Sequence, residues 1–204
     1  MDAITLIKKD HDKVEGLFAQ YNGGGGLTGL VKRVIGNVPT RQKTTALEGI
    51  CRELDVHARI EEEILYPALR RTGDPELQRQ VDESIREHAR VKDLVGKLRS
   101  RTGEPDGDTD AIVSELQQCV DHHVREEENE MFPRMEEIVP EPERRALGSQ
   151  LQERKRSLDG GRARRARPAA RGRARTAGTR RRVAKKTASR PRKKRARARA
   201  RRAR

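Results

Sequence analysis

Four of the chain's five histidines, His11, His57, His88 and His123, each fall in the apolar stripe of a different helical segment. Two of them are followed at i+4 by a glutamate, giving His57–Glu61 and His123–Glu127. A four-residue step places that carboxylate about 40° round the helix from its imidazole. The two stretches are one pattern written twice: His57-Ala-Arg-Ile-Glu61-Glu62 closes on Tyr66-Pro67, and His123-Val-Arg-Glu-Glu127-Glu128 closes on Phe132-Pro133. Imidazole and carboxylate together suit iron, manganese or zinc. A carboxylate buried without a partner costs at least several kcal/mol, and a cation removes that cost. Six protein donors exceed what one open ion needs and suit two ions bridged by the glutamates. The spacing therefore predicts a dinuclear centre on His11, His57, Glu61, His88, His123 and Glu127, with two iron ions favoured over manganese or zinc.

Helices must carry these side chains. Ile4, Ile7, His11, Val14 and Phe18 mark one face of a helix over 2–21, with Asp2 placed to cap it and Gly23 to Gly26 to end it. Residues 27–35 read as either a short helical turn or a packed loop. A second helix is expected over 40–71, with stripe Leu47, Ile50, Leu54, His57, Glu61, Leu65 and Ala68, and with Pro67 kinking or breaking its last turn. Gly73-Asp74-Pro75 stops it and starts a third helix to about Arg99, with stripe Leu77, Val81, Ile85, His88, Val91, Val95 and Leu98. A loop over 102–108 leads to a fourth helix, 108–139, carrying Ile112, Leu116, Val120, His123, Glu127 and Met131. Residues 143–158 form a short charged helix with Leu147, Leu151 and Leu158 as its apolar contacts. No segment alternates with period two. Short connections make antiparallel neighbours, so the fold class is all-α, an up-down four-helix bundle with the histidines at a common depth.

Ordinary readings compete with this one. A lone histidine in an apolar stripe is usually a satisfied core residue, and an E-E-E run is usually a solvated face. Glu62, Glu63, Glu126 and Glu130 are read that way, and His122, about 100° off the stripe, is given no role. What outweighs these readings is the coincidence of four helices with a duplicated H-x-x-x-E.

On His11-Asp12, the H-x-x-x-E-E of 57–62, Glu87-His88 and the H-x-x-x-E-E of 123–128, the sequence resembles the hemerythrin-like (HHE cation-binding) family over about residues 1–140. The resemblance implies a four-helix bundle around an oxo- or hydroxo-bridged di-iron site, with the six residues above as ligands and Glu61 and Glu127 as bridges. Oxygen-carrying hemerythrins differ in the third helix, where a second histidine follows at i+4. Here that position is Lys92. Their fourth helix bridges through an aspartate at i+5, and here Glu127 stands at i+4. The departures point away from reversible oxygen carriage and toward reaction with, or sensing of, oxygen, peroxide or nitric oxide. A catalase-like decomposition of hydrogen peroxide is one such activity.

Charge divides the chain. Of 47 Lys and Arg, 22 lie in 160–204, which holds no acid, so the +15 of the whole is a segment at −7 joined to a tail at +22. Three parts are expected: the bundle at 1–140, a charged helix or linker at 141–159, and a disordered basic tail at 160–204. The tail interleaves Ala, Gly, Thr and Pro with Arg162, Arg164, Arg165, Arg167, Arg180, Arg181, Arg182, Lys185, Lys186, Arg192, Lys193, Lys194 and Arg195. It is similar to histone-like Arg/Lys/Ala-rich tails. Having no aromatic or base-reading motif, it should bind DNA, or another polyanion, through phosphate and without regard to sequence. Its 22 cations match on the order of ten base pairs of duplex. No apolar run approaches the roughly 18–20 residues of a membrane span. Cys51 and Cys119 stand apart without metal spacing and read as buried thiols of a reducing compartment. The expected location is cytoplasmic and nucleoid-associated. Besides an enzyme, two readings stand: an iron- or oxygen-sensing module without turnover, and an architectural nucleoid protein.

Overall fold

The computed structural model describes residues 1–24, 38–101 and 104–166, with side chains through Asp159. The segment 27–35, part of the 102–108 loop, and the tail side chains lie outside the described residues. Among the described residues every element is helical. Helix α1 is Ala3–Tyr21, and the Asp2 carboxylate accepts the Ile4 N–H at 2.9 Å, as its capping position predicts. Helix α2 is Thr40–Ile60; the chain continues through Glu61–Leu65 into α3, Tyr66–Arg71. Gly73, at φ 74°, turns the chain, and Asp74 caps Leu77 at 2.9 Å to open α4, Pro75–Ser100. Asp106 caps α5, Gly107–Glu126, which continues through Glu127–Met131 into α6, Phe132–Ile138. Helix α7 is Glu141–Ala166, longer than the 143–158 marked by its apolar positions.

Cross-helix bonds fix the directions. Gln42 donates to the Gln20 carbonyl while Lys13 pairs with Glu53, so α1 and α2 run oppositely. Arg99 reaches Asp55, Lys92 reaches Glu62 and Arg70 reaches Asp82, which sets α2–α3 against α4. Arg90 pairs with Glu115 and Arg134 with Asp74, which sets α4 against α5–α6. Tyr21 donates to Asp110 while Lys8 lies by Glu128, which closes the ring of four. The bundle is up-down, as the short connections imply.

The apolar core is not continuous. One cluster gathers Ile7, Ile60, Leu65, Leu77, Val81 and Met131 at one end, and another gathers Val14, Phe18, Leu54, Val91, Leu116 and Val120 at the other. His11, Glu61, His88 and Glu127 fall between them on every helix. The third-helix stripe differs from expectation at one place: Ile85 is 39% exposed, and Ser84 and Gln80 are buried instead. Ser84 is four residues before His88, and Ile85 is about 100° further round the helix.

Pro67 and Pro133 do not break their helices. Each is preceded by one wide turn, Glu61–Leu65 and Glu127–Met131, in which the Tyr66 N–H donates to the Glu61 carbonyl and the Phe132 N–H to that of Glu127, five residues back. A proline lacks the donor that the carbonyl four residues earlier would need, so the ladder slips to an i→i+5 register just before it. In an unbroken α-helix a five-residue step would swing Tyr66 about 140° from Glu61. The wide turn brings Tyr66 and Phe132 back to the core face, where both are buried.

Helix α7 straps the bundle. Leu151 is fully buried, Arg144 pairs with Asp2 at 3.1 Å, Arg154 with Glu63 at 2.5 Å, and Lys155 with Asp10. Gly148 lets α7 touch the N-terminus: a Cβ there would lie 2.2 Å from the Met1 carbonyl oxygen and 2.8 Å from the Ala3 nitrogen. Both obstacles are backbone. Gly148→Ala should cost about 1–3 kcal/mol by overpacking, read as a lowered unfolding midpoint. An unchanged midpoint would show that the strap does not dock this closely.

Candidate metal centre

All six residues predicted from the spacing meet in one buried layer, each at most 6% exposed. Glu61 Oε2 lies 3.1 Å from His57 Nε2 and 3.3 Å from His88 Nε2. Glu127 Oε2 lies 3.4 Å from His11 Nε2 and 3.6 Å from His123 Nε2. Two overlapping groups could each hold a metal ion: His57, Glu61, His88 and His123, and His11, His57, Glu61 and Glu127. Glu61 and His57 belong to both.

Donor chemistry tests the fit. A carboxylate sits on the outer nitrogen of three imidazoles: Glu128 on His11 Nδ1 at 2.8 Å, Glu62 on His88 Nδ1 at 3.0 Å, and Glu87 on His123 Nδ1 at 2.9 Å. Each holds the ring proton on Nδ1 and turns the Nε2 lone pair inward. His88 Nε2 and His123 Nε2 then face each other at 3.2 Å with lone pairs toward one gap. A cation relieves that repulsion. Donors 3.1–3.6 Å apart are spaced as roughly 2.1 Å metal–ligand bonds require. His11 Nε2, Glu61 Oε1 and Glu127 Oε2 are buried with no aligned hydrogen-bond partner, an orphaning expected of atoms that serve a metal. The residues present fit a metal centre.

Electrostatics follow from the crowding. Burial, then the charge of Glu127, pushes the Glu61 carboxyl well above its usual range. Burial also opposes ionisation of Glu127, but His123 and His11 outweigh it and hold that group near 2. Burial and the neighbouring imidazoles keep His57 well below its usual value. His11 and His123 resist protonation through burial, yet Glu127 and the outer carboxylates leave both raised.

The repeats impose a pseudo-twofold arrangement. Glu61, Glu62 and Tyr66 of the first repeat attend His88, and Glu127, Glu128 and Phe132 of the second attend His11. Phe132 stacks on the His11 ring at 6.2 Å. Tyr66 breaks the symmetry: its hydroxyl donates to Glu127 at 2.9 Å and also lies 3.3 Å from Glu61. The other break is at His57, whose Nδ1 has no partner. Asp10 stands before His11 as Glu87 stands before His88, but it is one carbon shorter and is engaged by Lys155.

Two expectations need correcting. Glu62 is not a solvated face residue: it joins His88 to Lys92, and His88, then Lys92, bring its carboxyl down to about 2. Lys92, at the position where a second histidine would follow, points outward to this glutamate. Glu126 lines a cavity and lies 3.3 Å from His122. Glu63 and Glu130 are exposed, facing Arg154 and Arg79. The missed signal was the doubled E-E. The residue beside a ligand is turned about 100°, so the second glutamate reaches the ligand of the next helix. Glu62→Gln should weaken metal binding about 10–100-fold while the apoprotein stays folded, measured by competition with a chelator. Unchanged affinity would show that the His88 ring is held without it. The tail residues from Arg162 on have no described side chains.

Two cavities flank the layer. One of about 20 Å³ is lined by the four histidines and by Val14, Leu54, Val91 and Val120. It has room for about one water-sized molecule. The other, about 370 Å³, is polar and runs along Gln80, Ser84, Glu126, Glu127 and Glu130. Cys51 is buried and Cys119 half-buried; both thiols are free. Among the described residues no helix is long and apolar enough to cross a membrane.

Comparison with known proteins agrees with the geometry. The chain matches the hemerythrin HHE cation binding domain over residues 2–135. A crystal structure of a hemerythrin HHE cation binding domain-containing protein, the Rv2633c homologue from Mycobacterium kansasii, superposes with a TM-score of 0.62 at 23% identity. The match covers 84% of this chain and 95% of that one. No curated protein matches the chain. With the family match spanning the four bundle helices and the histidine–glutamate layer, the chain belongs to the hemerythrin HHE cation-binding family.

Proposed function

We propose that the chain is a non-haem di-iron protein that reacts with or senses oxygen, hydrogen peroxide or nitric oxide, held at DNA or another polyanion by its basic tail. The observation that carries the reading is the inward-facing donor layer beside a cavity of about 20 Å³ walled by valine and leucine. A chamber of that size admits a small neutral oxidant and little else.

When bound, two irons supply the electrons that O–O bond chemistry requires. The chain's residues provide the rest. Glu62, Glu87 and Glu128 hold three imidazoles in the ligating tautomer. Val14, Leu54, Val91 and Val120 exclude water from the small chamber. The Tyr66 hydroxyl supplies a hydrogen bond from the opposite side of the layer. Burial, then Glu127 and Glu61, holds its proton on well above the usual phenol range.

A sensing role is favoured by one contact set. Helix α7 is tied to the segments that carry the site, through Lys155 to Asp10, beside His11, and through Arg154 to Glu63, two residues past Glu61, and leads covalently into the tail.

Protein purified without oxygen, loaded with ferrous iron and exposed to air should hold two irons per chain and change its optical spectrum. Oxygen evolved from added peroxide means turnover; a reversible spectral change without it means sensing. Failure to take up stoichiometric metal overturns both and leaves an architectural role. Deleting residues 160–204 should abolish salt-sensitive DNA retention and leave the iron absorbance intact. Equal loss of both would refute the division of labour.

A further inference from the structure

His122, the histidine outside the buried layer, pairs with Glu126, a residue on the wall of the polar cavity. Its Nε2 lies 3.3 Å from Glu126 Oε1 and 3.4 Å from Glu87 Oε1, and one donor atom from each of the three lies within 4.8 Å of the others. That spacing is close to the edge of a tetrahedron built on roughly 2.1 Å bonds to a first-row cation. Glu87 Oε1 is buried and has no aligned hydrogen bond, so His122 does not satisfy it. Its other oxygen holds the buried ligand His123 at 2.9 Å.

Glu126 also lines the cavity of about 370 Å³ between α4 and α5. Glu83 and Glu130 stand on its walls, opposed there by Arg79 alone, and Glu127 of the buried layer lies along it. Gln80, on the cavity wall and 8% exposed, has its Oε1 buried without a hydrogen bond, and Glu127, also on the wall, has its Oε2 beside His11 and His123. The small chamber on the far side, by contrast, has no carboxylate on its walls: apart from the four imidazoles its lining is apolar.

We propose that His122, Glu126 and Glu87 form a third metal site, for a divalent first-row cation. It adjoins the polar cavity through Glu126 and serves as the loading station from which metal reaches the buried pair. Imidazole and two carboxylates suit ferrous, manganous or zinc ions, with water completing the shell. His122 is half exposed and so meets hydrated ions, whose water the three donors replace. Gln80 Oε1 and the acidic walls offer oxygens to the passing ion. The inference rests on the proposed function only in requiring that the inner layer takes metal.

The test uses full-length protein freed of metal, wild type and H122A, with E126Q as second variant. Equilibrium dialysis against cobalt(II) counts sites, and stopped-flow absorbance under limiting cobalt(II) times the filling of the inner pair. Wild type should bind two equivalents tightly and a third more weakly. H122A should lose the third, keep the plateau of two, and fill at least about tenfold more slowly, as expected when a focusing site is removed. E126Q should do the same. A wild type with only two equivalents, or a H122A that fills as fast as wild type, overturns the proposal. A wild type that never reaches two overturns the inner centre itself, a separate failure.

Discussion

Glu61→Ala should lower metal affinity at both positions of the centre by at least about a hundredfold, more than loss of a residue that only orients a ligand, and Glu63→Ala should change it less than about threefold. Glu61 belongs to both metal-capable groups, with Oε2 close to His57 and His88 and Oε1 orphaned. Glu63, two residues on, is an exposed partner of Arg154. The metal-free E61A protein should be no less stable than metal-free wild type. It has shed a buried carboxyl whose ionisation burial and Glu127 oppose when no cation is present, and water can occupy the polar gap. Isothermal titration with cobalt(II) and a thermal melt of the apoproteins check the two halves. Comparable loss from both substitutions would mean that the metal sits on another helical face.

Removing metal should reverse the way stability depends on pH. In the apoprotein, His11 and His123 have raised folded values. A raised histidine contributes stability below about pH 6.5, its unfolded value, and loses it as pH rises through the folded value. Glu61, raised as well, acts in the same direction from about pH 4.3 upward. Glu127 and Glu62, each near 2, lose their contribution only in acid and do not oppose the trend near neutrality. His57, held well below its usual value, does oppose it, gaining stability as pH rises toward about 6.5, but it is one group against three. The apoprotein should therefore melt lower at pH 8 than at pH 6. With metal the order inverts, because ligation needs deprotonated donors and affinity rises with pH. At a free metal concentration a hundredfold above Kd, each site adds about 2.7 kcal/mol. Two sites should raise the melting temperature by roughly 10–20 °C in a domain of this size, with the larger gain at pH 8. Melts at the two pH values, with and without a chelator, decide it. A gap that narrows toward pH 8 would show that metal affinity does not rise as these donors lose protons, and would overturn ligation by them.

Much of the bundle was legible because its signals are local. Asp2, Gly73, Asp74 and Pro75 mark helix ends through their own backbone preferences. The 3–4 spacing of His11 with Ile7 and Val14, and of His57 with Leu54 and Glu61, states which side chains share a face. The wide turns before Pro67 and Pro133 were not legible. A proline announces that the ladder must change, but not whether it breaks, kinks or slips register. Packing chose the slip, since it alone returns Tyr66 and Phe132 to the interior. Ile85 and Ser84 traded places as well: the core face of this helix follows the step of four that ends on His88, which Ser84 shares and Ile85 does not.

By itself the sequence determined that four histidines and two glutamates share helical faces with apolar residues, and that a −7 segment is joined to a +22 tail. Those are consequences of a fixed rise and rotation per residue, and of counting. Only the tertiary structure decided which carboxylate braces which imidazole, because Glu62, Glu87 and Glu128 act across helices and not along one. Helical period relates neighbours three and four apart; it carries no information about a partner 26, 36 or 117 residues away. The same limit hid half of the surroundings of His122: Glu126 follows it at i+4 on its own helix, but Glu87 comes from another and meets it only once the bundle has closed.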